Sequence, residues 1–151
     1  MQKFLGLDTS SRAIHGAVVD KDENLVDLYK WGSDKKSSAE RFPEIVVEFS
    51  EEMSKINIID NAAVEAAIFV QNRKSLIALA SIIGATWAVL VLNNIQTSLI
   101  HHAEWKKEIL GKGSLKKEDI MKFAIEKWGD KFPEQDYADA ACIALWNKRR
   151  F

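Results

Sequence analysis

The 151-residue chain reads as an α/β domain built on a five-stranded mixed sheet flanked by helices, with the first three strands antiparallel. Three observations predict this. Short β-rich runs separated by polar turns crowd the first thirty residues, 3.6-residue periodicity sets in near residue 39, and the remaining apolar runs alternate with helical segments. Length and composition agree. At 47% hydrophobic and 28% charged residues, the chain can bury the core of a single domain spanning 1–151.

Phe4 to Leu7 is the first strand and meets a turn at Thr9-Ser10-Ser11. Ile14 to Val19 and Asn24 to Trp31 follow as strands joined at the polar Asp20–Glu23. A helix is expected from Ala39 to Lys55, where Ile45, Val46, Phe49 and Met53 recur at helical spacing. Asn61 to Ala67 fits a buried parallel strand, and Lys74 to Leu92 a long helix. Ser98 to Trp105 is expected as the fifth strand. Ser114 is the candidate N-cap of a helix reaching Trp128, and Asp136 to Lys148 is the last helix. The expected order is βββ-α-β-α-β-α-α.

Cys142 is the single cysteine, which excludes an internal disulfide and points to a reducing compartment. The run Met1 to Leu7 meets a charge at Asp8 and does not resemble a signal peptide. Leu76 to Leu92 is apolar over seventeen residues, the lower edge of a membrane span, but holds Ser81, Gly84 and Thr86. It reads as a buried or dimer-forming helix, with no membrane partner. The net charge of −1 hides a local asymmetry. Lys106, Lys107, Lys112, Lys116 and Lys117 face only Glu108 within 105–117, a candidate polyanion-binding face.

Four acids draw attention. Asp8 ends a strand, where α/β proteins place catalytic groups and where solvated Asx-turns are also common. Glu65 is the one charge between Asp60 and Arg73. Within that apolar run it is either paired or metal-bound, or it faces solvent from an edge strand. Asp136 and Asp139 share one helix face at i,i+3, a pattern that helix capping also produces. Together, two acids on strands and two on a helix could converge, and four carboxylates at one point require cations. Oxygen-only ligation favours Mg²⁺ or Mn²⁺, and two such ions about 4 Å apart suit phosphodiester hydrolysis. His101 and His102 would point to opposite faces of a strand, His15 lies in the second strand, and Gly111-Lys112-Gly113 lacks the spacing of a phosphate-binding loop.

These motifs, taken in order, resemble the RuvC-type Holliday junction resolvases of the RNase H-like fold. Leu5-Gly6-Leu7-Asp8-Thr9-Ser10 matches the first-strand motif, and Val64-Glu65 with Asn72 the second acidic motif. Lys106, Gly111-Lys112-Gly113-Ser114 and Lys117 match the Lys…Gly-x-Gly segment, and Asp136-Tyr137-Ala138-Asp139-Ala140 the closing Asp-x-x-Asp-Ala. The resemblance implies a structure-specific endonuclease that cuts four-way DNA junctions by paired symmetric nicks, leaving 5′-phosphate and 3′-hydroxyl ends. It implies Asp8, Glu65, Asp136 and Asp139 as catalytic, metal-ligating acids holding two Mg²⁺ per site, with Mn²⁺ able to substitute. Lys106 and Lys117 would lie near the scissile phosphates, and Lys107, Lys112, Lys116 and Arg73 would contact DNA. The junction-opening aromatic three residues after the Glu is Ile68 here, so the adjacent Phe69 is the candidate for that role. A homodimer working in the cytoplasm of a bacterium or a phage-infected host is also implied. The alternatives are an RNase H-like nuclease acting on flaps, other branched DNA or RNA–DNA hybrids, an actin-like ATPase nucleotide-binding module, and a junction-binding protein without catalysis.

Overall fold

The computed structural model describes residues 2–56, 59–66 and 72–151. Its five strands are β1 (Lys3–Thr9), β2 (Ala13–Asp20), β3 (Leu25–Gly32), β4 (Asn61–Glu65) and β5 (Gln96–Ile100), arranged β3-β2-β1-β4-β5. The first three pair antiparallel, whereas β4 runs parallel to both β1 and β5. The helices are α1 (Ser38–Lys55), α2 (Arg73–Leu92), α3 (His102–Leu110), α4 (Lys117–Trp128) and α5 (Gln135–Lys148).

The two-residue period of the strands sorts their side chains into two cores. Leu5, Leu7, Ile14, Val18, Ala62 and Val64 pack with Ile45, Phe49 and Met53 of α1 and Ile82, Ile83 and Leu90 of α2. Phe4, Ala17, Val19, Ala63 and Ile100 face the other way, into α3, α4 and α5. Every residue of α5 from Ala140 to Asn147 is buried. The small residues of this helix let it lie almost on the sheet: a Cβ at Gly6 would stand 2.2 Å from both Ala140 O and Ala144 N.

The structure corrects two expectations. The fifth strand stops at Ile100, and His102–Leu110 is a helix. His101 caps it, its Nδ1 accepting from Ala103 N, and the buried Trp105 and Ile109 stand one helical turn apart. The expected tail of the strand, from His101 to Trp105, is therefore the cap and first turn of a helix. The two histidine rings accordingly do not take opposite faces of a strand; their centroids are 4.4 Å apart. The N-cap of α4 is Lys116 rather than Ser114, with Asp119 accepting from Lys116 N at 3.1 Å. Helix α2 is only one-sidedly buried: Ile82, Ile83, Thr86, Val89 and Leu90 face the core, while Ile77, Trp87, Val91 and Leu92 are exposed.

Candidate active site

Strand parity brings the acids to one face. Asp8 follows Phe4 and Gly6 on the α5 side of β1, and Glu65 follows Ala63 on the same side of β4. The pairing of Leu7 with Val64 sets the next residues, Asp8 and Glu65, side by side at the carboxyl ends of two parallel strands. Because β4 lies between β1 and β5, Glu65 is not on an edge strand, which removes the solvent-facing alternative. Above them the first turns of α5 carry Asp136 and Asp139. Capping does not explain that pair: Glu134 is the N-cap and no side chain caps the helix.

One carboxylate oxygen from each of Asp8, Asp136 and Asp139 lies within 4.8 Å of the other two. Burial, then the charges of Glu65, Asp139 and Asp136, hold the Asp8 carboxyl well above its ordinary range. Burial raises Glu65 and Asp139 as well, opposed at Glu65 by the Trp105 N–H and at Asp139 by the Gln135 amide. Such a cluster is costly while ionised unless cations enter it. Among the described residues no lysine or arginine forms an ion pair with Asp8, Glu65 or Asp139. An all-oxygen, converging, electrostatically strained donor set therefore fits hard divalent metal.

The surroundings fix these acids. Ser10 closes the turn after β1: its N–H donates to Ala13 O at 2.9 Å, and its Oγ accepts from Arg12 N and Ala13 N. The buried Arg41 donates to Ser11 O, Lys35 O and Lys36 O, tying that turn to the loop before α1. Trp105 Nε1 donates to Glu65 Oε2 at 2.6 Å, and Gln135 Nε2 to Asp139 Oδ1 at 3.0 Å. His15, paired directly with Asp8 across β1 and β2, lies 3.0 Å from Glu134 Oε2 and 3.8 Å from Asp136 Oδ2. Sequence reading missed Trp105, His15 and Glu134 as parts of the site. The hairpin register was the available signal for His15.

Lys106 and Lys117 act electrostatically on Asp139, and Lys106 also on Glu65, so the lysine segment flanks the acids. Lys107 is exposed on α3, Lys112 and Lys116 are exposed on the α3–α4 connection, and Arg73 is exposed at the start of α2. Phe69 lies outside the described residues.

Residues 4–147 match the family model described as "Crossover junction endodeoxyribonuclease RuvC". The chain belongs to the RuvC family. A protein of that description from Brachyspira hyodysenteriae (strain ATCC 49526 / WA1) is 35% identical over 91 residues, covering 60% of this chain and 57% of the relative. The matched segment thus spans little more than half the length of that curated relative. Among solved structures, T. thermophilus RuvC in complex with a Holliday junction substrate superposes with a TM-score of 0.80 at 19% identity, covering 96% of this chain and 92% of that one. A yeast mitochondrial Holliday junction resolvase gives a TM-score of 0.52 at 15% identity, covering 96% and 78%. These likenesses establish the RNase H-like fold, and family membership sets aside the actin-like nucleotide-binding alternative.

Proposed function

We propose that the chain is a Mg²⁺-dependent endonuclease that resolves four-way DNA junctions as a homodimer by paired symmetric nicks. The observation that carries this reading is the convergence of carboxylates from β1, β4 and α5 into a half-buried, cation-poor cluster beside a lysine-rich segment. Asp8, Glu65, Asp136 and Asp139 would hold two Mg²⁺, which Mn²⁺ could replace. Bound there, the metal supplies Lewis-acid activation of water and neutralises charge developing on the leaving oxygen.

The chain's own groups do the positioning. The Ser10 turn and the Arg41 clamp hold Asp8 at a fixed height under α5. Gln135 holds Asp139 by a hydrogen bond and His15 lies 3.8 Å from Asp136, so the donor set is partly preorganised before substrate arrives. Lys106 and Lys117 meet the scissile phosphate from the α3–α4 side, and Lys107, Lys112, Lys116 and Arg73 extend the backbone contact. Hydrolysis leaves a 5′-phosphate and a 3′-hydroxyl. The exposed apolar side of α2, with Ile77, Trp87, Val91 and Leu92, supports the homodimer, whose twofold axis would match that of the junction. Cytoplasmic DNA is the setting in which this chemistry is useful.

Cleavage of four-way junctions, flaps and RNA–DNA hybrids, compared under Mg²⁺ titration, tests the substrate assignment. Preferential paired cutting of the four-way junction is expected. Equal or faster cutting of a flap or hybrid would reassign the same acids to a different branched or hybrid substrate.

A further inference from the structure

The Glu65 carboxylate has a neighbour of unusual kind. Trp105 is 1% exposed, and its ring is packed into the core beneath α5. Its single polar atom, Nε1, donates to Glu65 Oε2 at 2.6 Å, a short charge-assisted bond. Indole offers a donor and no acceptor, so this bond ties down one carboxylate oxygen and leaves Oε1 available. Indole also carries no charge. A lysine or arginine in this place would neutralise Glu65 and compete with a metal ion, whereas the indole N–H orients the carboxylate and leaves its full charge in place. The ring has a second contact: Lys106 Nζ lies 5.5 Å from its centroid, a cation–π distance. One buried side chain thus holds an acid of the cluster on its edge and a lysine of the flanking segment over its face.

We propose that Trp105 is a positioning residue that sets which oxygen of Glu65 is offered to the metal and how firmly it is held. This deepens the function proposed above and rests on Glu65 being a metal ligand. Groups that orient metal-binding side chains typically contribute about 10–100-fold to metal affinity. The effect belongs to the N–H, so a side chain that keeps the bicyclic ring and lacks the N–H should lose it.

The test measures Mn²⁺ binding to the DNA-free full chain by electron paramagnetic resonance, so it does not depend on cleavage. Four proteins are compared: wild type, Glu65→Gln, Trp105 replaced by the benzothienyl isostere of tryptophan, and both changes combined. The isostere is expected to weaken Mn²⁺ binding about tenfold in the wild-type background and to have no further effect beside Glu65→Gln. Trp105→Phe should weaken binding similarly, which provides a second N–H-free variant. Unchanged affinity with the isostere overturns the proposal, as does an equal loss in both backgrounds, since that would mark Trp105 as packing alone. If Glu65→Gln itself leaves Mn²⁺ binding intact, Glu65 is not a ligand, and both this inference and that part of the proposed site fall.

Discussion

Gly6→Ala is the sharpest mechanical probe of the site. Gly6 lies two residues before Asp8, under the helix that carries Asp136 and Asp139. The added Cβ would meet Ala140 O and Ala144 N at 2.2 Å and Ala144 Cα at 2.8 Å, all backbone atoms of α5. No side-chain rotation relieves this. To reach ordinary contact at 3.4 Å, helix and strand must separate by about 1.2 Å. Overpacking of this kind costs about 1–3 kcal/mol, and the upper end is expected because backbone must move. The functional cost is larger. Metal sites tolerate deviations of about ±0.2 Å in ligand distance, and misplacing reacting groups by about 1 Å costs on the order of 10²-fold in rate. Gly6→Ala should therefore remain largely folded while losing about 10²-fold or more in Mg²⁺-dependent junction cleavage. Gly32→Ala, whose Cβ would find ordinary contacts at 3.4 Å, should stay close to wild type in both properties. Single-turnover cleavage with parallel thermal unfolding measures this. A Gly6→Ala rate within about threefold of wild type would refute the claim that α5 docking sets the acid geometry.

Three further outcomes follow from the electrostatics. In chelator at neutral pH, Asp8→Asn should raise the melting temperature, because it removes a buried charge facing Glu65, Asp139 and Asp136; Mg²⁺ should then stabilise wild type more than the variant. The sign follows from the raised folded-state pKa of Asp8: metal-free wild type should lose stability as pH rises above the ordinary carboxylate range, and Asp8→Asn should flatten that loss. Glu23, in the β2–β3 turn, accepts from Lys127 Nζ at 2.8 Å and Arg149 Nε at 2.9 Å, which with nearby charge lowers its pKa from 4.5 to about 2. At about 1.36 kcal/mol per pH unit, the fall from 4.5 to about 2 corresponds to roughly 3 kcal/mol of stability, present above pH 4.5 and lost as pH falls towards 2. Glu23→Gln should show that loss at pH 7 and almost none near pH 2 in denaturant titrations. Alanine at Lys106, Lys112 or Lys117 should each reduce the slope of log K against log salt by about 0.9 for DNA binding; an unchanged slope would mean that side chain does not touch phosphate.

Much of this was legible in the residues, for identifiable reasons. Glu65 stood out because a carboxylate in an apolar run is costly and Asp8 because it ends a strand, and strand parity puts both beneath α5. The Asp136/Asp139 pair looked like capping until α5 proved to have no side-chain cap. Helix α3 was misread because eight residues from Ser98 mix apolar and polar types with no decisive period; His101 and Trp105 announce a cap and a buried face only once the strand is seen to end at Ile100. Trp105 could not have been linked to Glu65, since their contact joins residues forty apart through that misread helix. Glu134 reaches His15 across 119 residues, and only tertiary packing brings the two together.

The central claim is that the four carboxylates form a metal-dependent nuclease centre. Its most direct test is cleavage of a synthetic four-way junction by wild type and Asp8→Asn, titrated with Mg²⁺ from a chelated baseline, with junction binding followed in parallel. Wild type should cut in a Mg²⁺-dependent manner, leaving symmetric nicks with 5′-phosphate ends, while Asp8→Asn binds the junction and does not cut. Cleavage by Asp8→Asn, or by wild type in chelator, would contradict the account.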